Sequence, residues 1–145
     1  MLLVEDQENK VAEWAGLVLG KPIIQPAKIF GVVEDDGLLK GAAIFNDYQG
    51  PGGNIELTYV GPGTLTKNVM RQMAEFAFVA CNASRVTLKT MRSNLVARKL
   101  LGNKKHGLVH ECVLKRYYST EKGGDALVFV LSRDHAKRWL GGSIE

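Results

Sequence analysis

Ile55-Glu56-Leu57-Thr58-Tyr59-Val60-Gly61-Pro62-Gly63-Thr64-Leu65 is the stretch at which the apolar period of the chain changes. Up to Val60, apolar and polar residues alternate, as in a half-buried strand. From Leu65 onward Val69, Met73, Ala77 and Ala80 share one stripe at helical spacing, widened by Leu65, Met70 and Phe76. Gly61-Pro62-Gly63-Thr64 reads as the tight turn between the two. A further strand, Arg85-Val86-Thr87-Leu88-Lys89-Thr90, follows the helix. This strand–helix–strand unit brings a parallel pair into the sheet.

Upstream, Lys28 to Val33 and Leu38 to Phe45 are β-rich runs joined through Asp35-Asp36-Gly37, the strongest local hairpin signal in the chain. A helix from about Asp6 to Leu19 precedes them, with Val11, Trp14, Leu17 and Val18 on one side. Gly20 and Pro22 stop it. Downstream, a short helix capped by Ser93 or Asn94 runs to about Leu101. Strands at about 109–118 and 126–132 follow, and a terminal helix carries Trp139. The predicted order is α-β-β-β-α-β-α-β-β-α. It describes one domain over residues 1–145, of α/β (α+β) class, with a mixed, mostly antiparallel central sheet and helices on both faces.

Composition narrows the function classes. Apolar residues are 46% and charged residues 23% of the 145, which is globular rather than disordered. No apolar run approaches the roughly 20 residues of a membrane helix. The first residues meet Glu5 and Asp6 at once, unlike a signal peptide. A cytoplasmic location without a membrane partner is therefore expected. Cys81 and Cys112 are predicted to be buried free thiols, Cys112 as a strand core residue. Charge is uneven: residues 1–64 hold 4 Lys/Arg against 9 Asp/Glu, residues 65–145 hold 15 against 6. Between Arg85 and Arg116 nine basic residues face one acid, Glu111. That field favours an anionic partner: a phosphorylated cofactor, a nucleic acid or an acidic protein.

Two places carry candidate chemistry. The junction from Glu56 to Met70 leads a glycine-containing turn into a helix N-terminus, where backbone N–H groups and the dipole suit phosphate; Lys67 and Arg71 add charge. It is neither a Walker loop nor a dinucleotide fingerprint. The second is Met91 to Lys115, where Asn94 reads locally as an N-cap. His106, His110 and His135 lack metal-ligand spacing, so no metal is expected. Trp14 and Trp139 read as packing residues.

The run Asn94-Leu95-Val96-Ala97, then Leu100-Leu101, Gly107-Leu108 and Glu111-Cys112-Val113-Leu114-Lys115, resembles the late motif of the GCN5-related N-acetyltransferase superfamily. The resemblance covers roughly residues 28–133. Phe45-Asn46-Asp47-Tyr48 and Arg138-Trp139 make it most similar to small members found in phages and prophages. It implies an acyl-CoA N-acyltransferase fold, acetyl-CoA (coenzyme A) as cofactor and an amine-bearing acceptor. Thr58, Tyr59 and Val60 would hold the pantetheine arm. Leu65, Thr66, Lys67, Asn68 and Val69, continuing to Met70, would form the pyrophosphate loop, with Asn94 and Ala97 near the thiol end. The loop has neither of the family's glycines, and Leu101 stands where a tyrosine acid often lies. An extra Lys104-Lys105-His106 delays the Gly-Leu pair.

For direct attack of an amine on a thioester, Glu56 is the expected base, because it shares strand parity with Thr58 and Val60. A backbone N–H near Tyr59 or Val60 is the expected oxyanion donor. Tyr59, Ser93 and Tyr117 are the candidate acids, with Tyr59 taken into the catalytic set. Two alternatives stay open: a non-catalytic binding module, or a phage factor that modifies nucleic acid or protein through the basic half. Homodimerisation is also open.

Overall fold

The computed structural model describes residues 2–4, 8–19, 27–121 and 123–141. In chain order the elements are β1 (Leu2–Val4), α1 (Glu8–Leu19), β2 (Ala27–Val33), β3 (Leu39–Asn46), β4 (Asn54–Val60), α2 (Lys67–Ala74), β5 (Arg85–Met91), α3 (Leu95–Leu101), β6 (Val109–Leu114), β7 (Ala126–Ser132) and α4 (Lys137–Leu140). A 3-10 turn at Pro62–Thr64 precedes α2, and α2 runs on as a π-helix over Glu75–Ala80. The seven strands form one sheet in the order β1-β2-β3-β4-β5-β7-β6. Among the described residues only β4 and β5 pair in parallel, as the strand–helix–strand reading requires.

Strand alternation divides the core between the two faces. Phe30, Phe45, Ile55, Leu57, Val86, Leu88 and Leu131 turn towards α2, the π-helix and α4. Phe76 packs edge-on to Phe30 at 4.9 Å between ring centres and tilted on Phe45 at 4.8 Å. Such aromatic pairs add about 0.5–1.5 kcal/mol each beyond their buried area. On the other face Ile29, Ala42, Ile44 and Val60 meet Val11 and Ala15 of α1. Helices thus cover both faces. A Cβ on Gly31 would lie 3.0 Å from Val11 Cγ2 and 2.8 Å from Leu39 Cδ1, so glycine there permits the close approach of α1.

Several expectations need correction. β1 has no counterpart in the sequence reading. It is three residues long and pairs with β2, too short to register as a periodic run. On α1, Leu17 is 78% exposed and Val18 also faces solvent. The buried stripe is Val11 and Ala15, one turn apart. The expected helix start at Asp6 and stop at Gly20 lie outside the described residues. The expected start of the next helix at Leu65 moves to Lys67, because Thr66 acts as N-cap and accepts from the Val69 N–H at 3.3 Å. Ala80 is exposed and Phe78 takes the buried place. The wider π turn, closed by Cys81 N–H donating to the Phe76 carbonyl at 2.9 Å, shifts the phase of the stripe. β6 ends at Leu114 instead of Tyr118, since Arg116 adopts φ 54° and its N–H turns to Asp125 Oδ1 at 2.8 Å. Cys112 is exposed, because β6 is the edge strand, and Cys81 is only half-buried.

The turn after β4 is tightly specified. Gly61 has φ +81°, and a Cβ there would stand 2.4 Å from the Lys40 carbonyl oxygen. Gly37, at the Asp-Gly hairpin, has φ +79° with nothing within 4 Å. Gly37→Ala is expected to cost about 1–2 kcal/mol from left-handed backbone strain alone. Gly61→Ala adds a backbone clash and should cost more, about 3 kcal/mol or above. Denaturant midpoints of the two variants check the order; equal losses would contradict it.

Candidate functional site

β4 and β5 pair over only three residues: Asn54 with Arg85, Ile55 with Val86, and Glu56 with Thr87. Beyond that point β4 stays with β3 as far as Val60, and β5 stays with β7 as far as Met91. The sheet therefore opens into a wedge, and two strand edges face each other without sheet pairing. Asn54 Oδ1 fixes the closed end, accepting from Thr87 Oγ1 and from Arg85 Nε. A cavity of about 770 Å³ fills the wedge, which is within the size range of small-molecule sites.

The cavity reaches both faces of the sheet. On the α2 side it is lined by Tyr59, Leu65, Thr90, Asn94, Ala97 and Leu101 among others. On the α1 side it is lined by Asn46, Glu56, Thr58, Lys89 and Tyr117. Lys89 Nζ lies 3.0 Å from Glu56 Oε1, with the two side chains 20% and 19% exposed. It also donates to Tyr117 Oη at 3.3 Å and sits 5.0 Å above that ring's centre. Burial pulls the Lys89 pKa down, but the bonds to Glu56 and Tyr117 outweigh it and hold the ammonium above its ordinary value.

Tyr59 points to the α2 side and is half-buried, which pushes its hydroxyl pKa up; a bond with Thr64 partly opposes this. Tyr59 Oη is 2.5 Å from Thr64 Oγ1, and Thr64 Oγ1 donates to the Gly61 carbonyl at 2.6 Å. The threonine has one proton, already given to Gly61, so the tyrosine is the donor between the two hydroxyls. Tyr59 is thereby a strut of the turn. A Cβ at Gly41 would lie 2.6 Å from Thr64 Oγ1, so that glycine leaves room for the strut.

The other lip is held from two sides. Asn94 caps α3, accepting from the Ala97 N–H at 3.1 Å, in agreement with the local reading of that residue. Asp125 binds Arg92 Nη1 at 3.1 Å and the Arg116 N–H at 2.8 Å, tying the loop before α3 to the loop after β6. The Arg116 N–H is the main cause of a depressed Asp125 pKa, and Arg92 adds to it against a small opposing burial effect. From α4, Trp139 Nε1 donates to the His106 carbonyl at 2.7 Å and Arg138 to the Lys104 carbonyl at 2.9 Å. These bonds fix the turn that brings His106 to the cavity. Burial, and then the charge of Lys105, lowers the His106 pKa.

The wedge brings together Glu56, Thr58, Tyr59, Leu65, Asn94 and Ala97 of the expected site residues. Val60 is buried under α1 and Val69 is 0% exposed in the main core, so neither side chain is available to a ligand. Thr66, Lys67 and Asn68 lie at the start of α2 and do not line the cavity. Of the candidate acids, Tyr117 is on the α1 side with Lys89, and Ser93 packs against Gly123. The sequence reading missed Lys89, Asn46 and Tyr118. Strand parity places Lys89 on the face of Glu56, but the meeting of the two depends on the register across the wedge.

The Glu56–Lys89 pair makes a pH-dependent contribution to stability. The folded-state lysine is more basic than its ordinary 10.5, so the contribution is complete below that pH and disappears as pH rises through the folded value. Lys89→Met is expected to cost about 1–2 kcal/mol at pH 7. Urea titrations of both proteins at pH 7 and above pH 11 should show the difference shrinking at the higher pH.

No protein-family profile matches the sequence, and no curated protein is detectably similar to it. Solved structures are similar in fold. A variant of the spermidine N-acetyltransferase SpeG from Vibrio cholerae has a TM-score of 0.72 at 12% identity, over 96% of this chain and 95% of its own. The ribosomal-protein-S5-alanine acetyltransferase from Vibrio fischeri has 0.60 at 19%, over 74% of this chain and 62% of its own. Mycobacterium smegmatis RimJ, in complex with CoA-disulfide, has 0.61 at 18%, over 79% and 59%. The chain thus spans about three-fifths of the last two and nearly the whole of the first. The wedge-opened mixed sheet and these likenesses together give the chain the fold of the GCN5-related N-acetyltransferases.

Proposed function

We propose that the protein is an acyl-CoA-dependent N-acyltransferase, with acetyl-CoA as the donor. The observation that carries the reading is the wedge: two unpaired strand edges enclosing a cavity that opens onto Glu56. Buried backbone N–H and C=O groups need partners, and an extended ligand rich in amides supplies them as an added strand would. The edges of Thr58 to Val60 and Leu88 to Met91 fit a pantetheine arm in this way. Asn94 and Ala97 close its far side, and Lys67 is the cation nearest in sequence for the phosphates.

The thioester supplies an activated acyl group, and the chain's residues present the amine to it. Glu56 accepts the proton that the ammonium form of the acceptor must lose. A backbone N–H of β4 stabilises the charge that develops on the acyl oxygen. The new N–C bond forms as the C–S bond breaks, and the departing thiolate takes up a proton. Tyr59, whose hydroxyl is already bonded to Thr64, is the candidate acid on the α2 side.

In a glycine-rich loop the backbone amides are open to phosphate, but here three are bonded within the chain. Thr66 N–H donates to the Thr64 carbonyl, Val69 N–H to Thr66 Oγ1, and Met70 N–H to the Thr66 carbonyl. Anion affinity then falls on the helix dipole and Lys67. Calorimetric titration with acetyl-CoA is expected to give saturable binding, weakened about tenfold by Lys67→Glu. Glu56→Gln is expected to lower kcat by about a hundredfold and leave that affinity unchanged. Absence of acetyl-CoA binding at millimolar concentration would overturn the reading.

A further inference from the structure

The α1-side end of the cavity holds a matched set of charges that acyl transfer to a simple amine does not need. Glu56 and Lys89 stand 3.0 Å apart, both largely shielded from water, and Tyr117 Oη is a further 3.3 Å from the lysine. Asn46 sits opposite Glu56 in the β3–β4 register and lines the same end. Its Oδ1 is buried with no donor among the described residues. Acceptors for an ammonium and donors for an anion therefore lie side by side. Around them Val18, Leu19, Met91 and Tyr117 leave apolar surface exposed at the cavity rim.

We propose that the acyl acceptor is an α-amino acid with an apolar side chain, its ammonium held by Glu56 and Asn46 and its carboxylate by Lys89 and Tyr117. An incoming amine has to displace Lys89 from Glu56, which would strand a shielded lysine charge. A zwitterion replaces the one ion pair with two, and both charges remain matched. A diamine would instead bring its second cation to a cavity wall that already carries Lys89, with like charges opposed. The apolar side chain covers the exposed rim. The long, flexible stem of Lys89 permits the swing that insertion requires.

The inference rests on the acyl-transfer reading only for the step after binding. The amino acid's nitrogen bonds to the acyl carbon as the C–S bond breaks, its proton leaves through Glu56, and the products are an N-acyl amino acid and the free thiol. Binding itself is testable without the donor. Calorimetry on the full chain with L-leucine, L-leucinamide, glycine and putrescine, and no acyl-CoA, is the experiment. Leucine is expected to bind at least about tenfold more tightly than leucinamide, which lacks the anion, and more tightly than putrescine or glycine. Lys89→Gln should abolish the preference for leucine over leucinamide, whereas Glu56→Gln should weaken both.

Equal or tighter binding of leucinamide or putrescine overturns the proposal, and so does the absence of leucine binding. Glycine as tight as leucine overturns the apolar side-chain part. The wild-type comparison needs no variant to fold. A separate acetyl-CoA titration distinguishes the two readings. Leucine preference without acetyl-CoA binding keeps the zwitterion site and removes the transferase. Acetyl-CoA binding without leucine binding does the reverse.

Discussion

The abrupt end of the β4–β5 pairing is the constraint on which the rest of the molecule depends. Three residues of parallel ladder hold two halves of the sheet together, and the fourth pair is missing. An ordinary parallel pair would continue, because each further pair of residues satisfies backbone groups. Here each strand is held by its other neighbour: β4 by β3 up to Val60, β5 by β7 up to Met91. Twist accumulated across these pairings carries the free ends apart. Asn54, bonded to Thr87 and Arg85, keeps the closed end from unzipping. Gly61, with its left-handed backbone, turns β4 away under α2, where Tyr59 and Thr64 brace the bend. Sites at such openings are precise because regular strands supply their walls.

Much of this was legible in the residues. Alternation from Ile55 to Val60 followed by a helical stripe predicts the parallel unit, and Asp36-Gly37 predicts the hairpin, as observed. Asn94 was a cap on local chemistry and is one. What failed has identifiable causes. The π turn over Glu75–Ala80 changes the period in mid-helix, so a stripe drawn at 3.6 residues per turn chooses Ala80 over Phe78. Apolar character predicts burial only where something covers the residue. Leu17 and Cys112 are apolar positions that no element among the described residues covers. Of the site, Glu56 followed from strand parity, but Lys89 required knowing that the sheet opens immediately beyond Thr87.

The basic bias of the C-terminal half looks different once partners are known. Arg85 pairs with Glu111 at 2.9 Å, Lys89 with Glu56, and Arg92 with Asp125. Arg98 donates to the Arg92 carbonyl at 3.1 Å. Several of the nine cations between Arg85 and Arg116 are thus already paired within the chain, two of them holding β5 to β6 and the loop before α3 to the loop before β7, and Lys89 meeting Glu56 across the wedge. Two of their three carboxylate partners come from outside that segment, so a charge count over a sequence window overstates its field. The exposed Lys99, Lys104 and Lys105 lie on α3 and the turn after it, next to residues that line the cavity.

The two ends of the cavity also divide the chemical work. On the α2 side Tyr59 is bonded to Thr64 and Asn94 to the Ala97 N–H, so both serve the architecture. A ligand there meets mainly strand backbone and apolar side chains, which read extended shape and amide groups with little regard for charge. On the α1 side Lys89 bonds to both Glu56 and Tyr117, and Asn46 Oδ1 has no donor among the described residues. Those bonds are exchangeable for bonds to a ligand, because breaking them leaves the strands still paired to β3 and β7. The charged side chains are therefore concentrated at the α1-side end of the cavity, away from the turn that Tyr59 and Thr64 brace.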